Sequence, residues 1–558
     1  MQNYSFDMKD PVYEIFGLKV SIHIHTMENT YSLSPEKTIV ELNNQTITIA
    51  CSQLSWAGQQ QRANGKFSLS AFRNDRDQIE FQMSAEAEQK IISIKLMIRD
   101  LPPVSIYDAD TGSDIPINVS ESLVQASGQI FYYPYNAFKY NNNLKLPVFF
   151  LKNRESGNLL GVYSQDHKVR AKRFVVSEEV QGEYKGKCCL ELIHEELAVN
   201  LDTKISIPKW IIGEQVNSES FRDEYLAFSE SEKGIGLTRW EERNDFPDWL
   251  REISLVLNIH GMHWSGYIFN TYENMLEIIR YVSERLEGRH ILAYLPGWEG
   301  RYYWQYGQYR PEPLLGGKEG FQKLCSEAKR LGVHLMPMFG SNIANLRMEN
   351  FQEFGPNSFM KTAARTRYHV NEPDWDLSRG HDNGWQAFMN AGSPAWRKEL
   401  VRQITNLKDT YQFDGVFLDL VHHWVNDPDH EVFEGMRSLK NDLTKNNPDL
   451  LVVGENWYEG LLSIFPLFQV RPYINQPAWV GRYARTMAHL LEAEPSRGST
   501  GVHEKGYTNY ERKPLSKEYI PTIAFVDGTL EKAKKEIDEV LKVSHQYIDK
   551  YFPSKQSV

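Results

Sequence analysis

Over roughly the first 225 positions, apolar and polar residues alternate in short runs. Gln45–Ala50, Phe67–Phe72, Ile79–Met83 and Ile91–Ile98 each put every second side chain on one face. A period of two is that of a half-buried β-strand, whose successive side chains point to opposite faces. Val148–Lys152, Leu159–Ser164, Arg173–Ser177 and Lys204–Ile207 continue the series, with Asn, Gly, Asp and Pro clusters between many of the strands. Strands this short and this frequent predict an antiparallel β-sandwich over residues 1–225.

A linker over 226–250 leads into a different rhythm. From residue 251 apolar strands alternate with amphipathic helices. Leu255–Ile259, Ile291–Leu295, Val333–Phe339, Phe413–Asp419 and Leu450–Glu455 read as fully buried strands. Tyr272–Glu287, Glu319–Leu331, Pro394–Tyr411 and Phe433–Asn446 read as helices between them. The pattern then blurs: Arg482–Glu494 looks helical, Ile520–Val526 is a strand, and Leu530–Tyr551 is a closing helix. Strand–helix–strand repeats make parallel sheets. Five clear strands, a blurred stretch and a closing helix within 251–558 predict a (β/α)₈ TIM barrel, with a doubly wound sheet as the fallback. The expected fold class is therefore α/β, a barrel preceded by an all-β sandwich.

Composition narrows the partners. The net charge is −11 with both signs interspersed, which argues against a nucleic acid as the main partner. No apolar run approaches the roughly 20 residues of a membrane helix. The first ten residues lack a basic start and an apolar core, so no secretory leader and a cytoplasmic location are expected. Cys51, Cys188, Cys189 and Cys325 form neither a disulfide framework nor a zinc pattern. No cofactor or metal is expected. The 13 Trp and 29 Tyr would suit stacking on sugars, a role no more expected than ordinary packing in large domains.

The chemistry concentrates in two acids, 36 residues apart, each where an apolar run ends: Asp419 and Glu455. In parallel α/β folds the carboxyl ends of the strands line the active site. Two carboxyl groups brought together there suit acid/base or nucleophilic work on a glycosidic bond, at about 5 Å for retention of configuration and nearer 9 Å for inversion. Leu418, Leu420 and His422 around Asp419 fit a buried ionised nucleophile; Asn456 and Trp457 after Glu455 fit an acid whose aromatic wall raises its pKa. Each acid alone could instead cap a following helix.

On these residues the chain resembles the α-amylase superfamily of glycoside hydrolases. That family's nucleophile ends the fourth barrel strand in the pattern G-x-R-x-D-x-x-K-H. Gly415-Val-Phe-Leu-Asp419-Leu-Val-His422-His423 keeps the Gly, the Asp and the final His. Its general acid ends strand five in a Gly-Glu pair, matched by Gly454-Glu455. The resemblance implies Asp419 as nucleophile and Glu455 as acid. Phe417 stands where the family has Arg, and Phe525-Val526-Asp527 is the nearest segment to its strand-seven His-Asp pair. These departures point to a distant or separately classified glycosidase.

Further candidates follow the ends of other strands. His260, His263 and Trp264 follow strand one, Trp298 and Trp304 follow strand two, and His422, His423 and Trp457 flank the acids. Imidazoles and indole N–H groups bond sugar hydroxyls and indole faces stack on pyranoses, so these eight are the expected substrate-binding residues. With the family's Arg missing, His423 or His263 is the expected donor to the nucleophile. Asp374, Asp376, His381 and Asp382 lie in a long insertion, 343–392, of the length that often forms a lid. The expected function is a glycoside hydrolase, or a transglycosidase, acting on an oligosaccharide or glycoside by a retaining two-carboxylate mechanism. The alternative is a catalytically inactive carbohydrate-binding barrel. The expected partner is the sugar alone, without nucleic acid or membrane, and homo-oligomer formation is left open.

Overall fold

The computed structural model describes residues 10–43, 45–56, 59–117, 129–134, 143–179, 183–263, 266–301, 303–368, 386–470, 476–488, 515–526 and 528–552. The chain divides into two compact units, 1–237 together with 426–429, and 238–425 together with 430–558.

Alternation builds the first unit. Phe67, Leu69 and Ala71 of Gly65–Arg73 are buried, as are Ile79, Phe81, Met83, Ala85 and Ala87 of Ile79–Ala87, while their neighbours face outward or half outward. These two strands pair antiparallel along their whole length. They belong to a ten-stranded sheet, and a nine-stranded antiparallel sheet centred on Ile91–Leu101 and Leu18–Thr26 supplies the other half of one continuous apolar core. Residues 40–100 hold strands and turns, as a sandwich-like unit requires. The stretch read as a linker begins inside a helix, Ser218–Glu230, whose N-cap Asn217 accepts from the Ser220 N–H.

The second unit is an all-parallel eight-stranded sheet. In chain order its strands are β1 (Leu255–Ile259), β2 (Ile291–Leu295), β3 (His334–Gly340), β4 (Gly415–Asp419), β5 (Leu451–Glu455), β6 (Leu467–Val470), β7 (Arg485–Ala488) and β8 (Thr522–Phe525). Each pairs with its sequence neighbour from β1 to β7, and β8 returns to pair with β1. A bridge from Thr486 to Tyr519 and the Ala488 N–H donating to Thr522 Oγ1 draw β7 and β8 together, so the sheet is a nearly closed barrel. Helices α1 (Tyr272–Ser283), α2 (Gly317–Arg330), α3 (Pro394–Tyr411), α4 (Val432–Thr444) and α5 (Lys534–Tyr551) follow their strands. The fold is mixed α/β, sandwich-like sheets plus a barrel sheet.

Three elements differ from the sequence reading. Arg482–Glu494, expected as a helix, begins with a 3₁₀ turn and contains β7, and residues beyond 488 are outside the described range. β6 was not anticipated. Both strands have four residues, too few to display a period. The closing helix breaks at Ala533 into Thr529–Lys532 and α5.

Candidate active site

Register fixes which side chains enter the barrel. Asn258 donates from Nδ2 to Ala488 O of β7, so it points inward, and β1 alternates from there. Tyr294 of β2 reaches Met338 of β3 and packs on Phe417 of β4 at 4.5 Å. One step up, Gly340 pairs with Asp419, and Glu455 pairs with Gln469. The layer at the carboxyl ends of the strands therefore contains Gly340, Asp419, Glu455 and Gln469.

Asp419 and Glu455 lie side by side at the ends of adjacent strands, close enough for each carboxyl to act on the other. The Leu420 N–H donates to Glu455 Oε2 at 3.0 Å, and His422 Nδ1 lies 2.9 Å from Glu455 O and 3.7 Å from its Oε2. Leu420 and Asn456, the residues after the two acids, have φ of 62° and 54°. A left-handed backbone is costly for a leucine and persists only where the surroundings impose it. Ser341 Oγ donates to Asp419 O at 2.6 Å and Asn342 Nδ2 to Leu420 O at 2.8 Å, fastening that turn from β3.

The donor to Asp419 is a tyrosine. Tyr306 Oη donates to Asp419 Oδ2 at 2.8 Å. Tyr306 crosses the mouth over Gly340, where a Cβ would meet its ring at 2.1 Å. The expected donors are engaged otherwise. His423 Nδ1 pairs with the Tyr368 hydroxyl at 2.8 Å, and His263 packs near His260 and Phe269, with ring centres 6.2 and 6.1 Å apart. Sequence reasoning reached the aromatic segment Trp298–Trp304 but stopped two residues short of Tyr306. The glycine ending β3 was the available signal.

Burial pushes the Asp419 carboxyl well above the ordinary carboxylate range, and the negative Glu455 beside it adds to the shift. The Tyr306 bond opposes both. Two carboxyls in one dry site cannot both ionise easily, and each opposes the ionisation of the other. Burial also keeps His263 neutral, with a pKa lowered to about 4, and holds His423 neutral. A third acid, Glu299, is fully buried, and among the described residues no other residue bonds its carboxyl. Burial raises its pKa well above normal, its own backbone N–H opposes this in part, and Glu312 adds to the rise.

The remaining expected residues fall into three groups. His260 and His422 are buried at the carboxyl ends of β1 and β4, and Trp304 is half-buried under the Arg301 guanidinium, 5.1 Å from its ring centre. Trp298 and Trp457 are buried in packing. Trp298 stacks on Phe321 of α2 at 4.8 Å and donates to Met338 O; Trp457 donates to Gln476 Oε1 at 2.9 Å and meets Trp479 edge-on. Trp264, Asp374, Asp376, His381, Asp382 and Asp527 lie outside the described residues. Gln469, which the sequence did not single out, is buried beside Glu455, and its Nε2 has no hydrogen-bond partner among the described residues. Among the described residues no three His, Cys, Asp or Glu side chains are grouped to hold a metal ion. No described helix is long and apolar enough to cross a membrane.

A family model described as a domain of unknown function, DUF6259, matches residues 223–479. No curated protein sequence matches the chain. Solved structures do. The α-N-acetylgalactosaminidase NagBb from Bifidobacterium bifidum, in complex with GalNAc, superposes with a TM-score of 0.64 at 12% identity, over 96% of this chain and 90% of that one. The GH36 α-galactosidase AgaA from Geobacillus stearothermophilus matches with a TM-score of 0.52 at 11% identity, over 98% and 78%. An α-galactosidase from Lactobacillus brevis matches with a TM-score of 0.51 at 10% identity, over 94% and 72%. The chain shares the fold of these glycosidases. The resemblance to the α-amylase superfamily has no counterpart among these neighbours.

Proposed function

We propose that the chain is a glycoside hydrolase that cleaves a terminal α-linked galactose or N-acetylgalactosamine with retention of configuration. The observation that carries this reading is the Asp419–Glu455 pair, brought together at the carboxyl ends of β4 and β5. The sugar class comes from the neighbours of like fold, which act on α-galactosides and α-N-acetylgalactosaminides.

In this reading Asp419, which accepts from the Tyr306 hydroxyl, attacks the anomeric carbon. Glu455 is placed to protonate the leaving oxygen and then to take a proton from the incoming water, or from a sugar hydroxyl in transglycosylation. In this reading the two carboxyls stand about 5 Å apart across the bound pyranose, each bonded to substrate. Glu455 carries the proton, and Asp419 is ionised under the Tyr306 hydrogen bond. In this scheme the imidazoles of His260, His263 and His423 and the half-buried Trp304 hold sugar hydroxyls and the sugar face.

Aryl α-galactosides and α-N-acetylgalactosaminides test the proposal, with the product anomer read by NMR at early times. The α-anomer is expected first, and Asp419→Asn and Glu455→Gln should each lose at least ~10³-fold in kcat while keeping the wild-type fold. Full activity in Asp419→Asn, or first release of the β-anomer, would overturn it.

A further inference from the structure

Arg485 begins β7, at the end of the barrel opposite to the acids, and is 4% exposed. A guanidinium never loses its charge at ordinary pH, so a buried one needs an anionic partner or several acceptors. Arg243 shows how this fold meets that need. Its fork holds Asp245 through two bonds of 2.8 Å, and Nη1 donates to Leu462 O, Phe465 O and Tyr483 O. Arg485 has no such carboxylate. Its Nη1 donates to Gly481 O at 2.7 Å and Ala484 O at 3.0 Å, the Tyr547 hydroxyl is a further partner, its guanidinium lies 4.1 Å from the Trp240 ring centre, and it makes no ion pair among the described residues.

Arg485 lines a cavity of about 200 Å³. Arg251 and Lys517 add two more cations to the lining, and Glu241 is its single acid. That acid is committed: Lys517 Nζ binds it at 2.6 Å. The rest of the wall is apolar or aromatic, with Trp240, Tyr547 and Phe552 among it. Burial depresses the Arg485 pKa, and Tyr547, Glu241 and Glu518 offset only part of the effect.

We propose that this cavity is a binding site for a small organic anion, a carboxylate carried on a flat apolar body. The carboxylate would sit on the Arg485 fork and the body against the Trp240 and Tyr547 rings. A charge-assisted fork supplies both strength and direction, and an aromatic wall favours an organic anion over a hydrated inorganic one. The site is independent of the catalytic reading, because it uses none of the residues at the other end of the strands.

The test uses the full chain and three probes, benzoate, benzyl alcohol and inorganic phosphate, followed by calorimetric titration and by thermal melting. Saturable binding of benzoate with a rise in Tm is expected, with benzyl alcohol inert and phosphate weaker. Arg485→Gln should weaken benzoate about tenfold or more, the size of a lost charge-assisted bond, and Arg485→Lys should retain part of the affinity. Lys517→Gln, at the half-exposed rim, frees Glu241 and should weaken benzoate as well; this variant decides the matter if Arg485→Gln does not fold. No saturable benzoate binding to the wild-type chain would overturn the proposal. So would unchanged affinity in folded Arg485→Gln or in Lys517→Gln, or tighter binding of phosphate than of benzoate.

Discussion

Tyr306 sets how easily Asp419 ionises, because its hydroxyl is the donor that counteracts burial and the charge of Glu455. Tyr306→Phe removes that donor and leaves the ring over Gly340. The Asp419 pKa should rise further, so the acidic limb of the kcat/KM profile should move to higher pH, with turnover falling about 10–100-fold at its optimum. An unmoved limb would show that another group holds the nucleophile. Glu299 gives a stability prediction at the same scale. Its folded pKa lies above its unfolded value, so the folded state binds the extra proton and stability falls as pH rises above the ordinary carboxylate range. Glu299→Gln keeps the shape without the ionisation. Denaturant titration should find the variant equal to wild type near pH 4 and more stable by about 1–3 kcal/mol near pH 8, the cost of an unsatisfied buried group. A difference independent of pH would contradict this account. The juxtaposition of the acids was legible because each ends an apolar run on adjacent strands. Tyr306 and Glu299 were not, because their positions depend on how a long loop folds over β3.

At the scale of elements, Gly340 is the residue that most constrains the mouth. Its position at the end of β3 gives Tyr306 room to reach Asp419. Gly340→Ala should therefore displace Tyr306 and lower both Tm and activity, and reproduce the pH shift of Tyr306→Phe; a normal profile in this variant would uncouple the glycine from the site. Element recognition followed the strength of the local signals. α3 was read to the residue, and Ser393-Pro394 at its start is a signal visible in the sequence. Capping at Thr271 and Asn274 fixed the start of α1 in the same way. β6 and β7 escaped because they are four residues long. Arg485 lies inside β7, where the turns and hydrogen bonds of the barrel rather than the sequence pattern make a strand of it.

At the scale of the whole molecule, the alternating rhythm and the strand–helix rhythm correspond to two kinds of sheet, one antiparallel with a shared apolar core and one parallel and nearly closed. The two rhythms were legible because period two and buried apolar runs are properties of the chain itself. The strand β7 beside the closing seam was not, since the segment that carries the Thr486–Tyr519 bridge has little pattern of its own. The central claim, that Asp419 attacks a sugar, is tested most directly by covalent trapping. The protein should be incubated with a slow fluorinated α-galactosyl or α-N-acetylgalactosaminyl donor, then digested and sequenced by mass spectrometry. The account predicts a glycosyl ester on Asp419 that forms in step with loss of activity and is absent from Asp419→Asn. A label on any other residue, or inactivation without a covalent adduct, would contradict it.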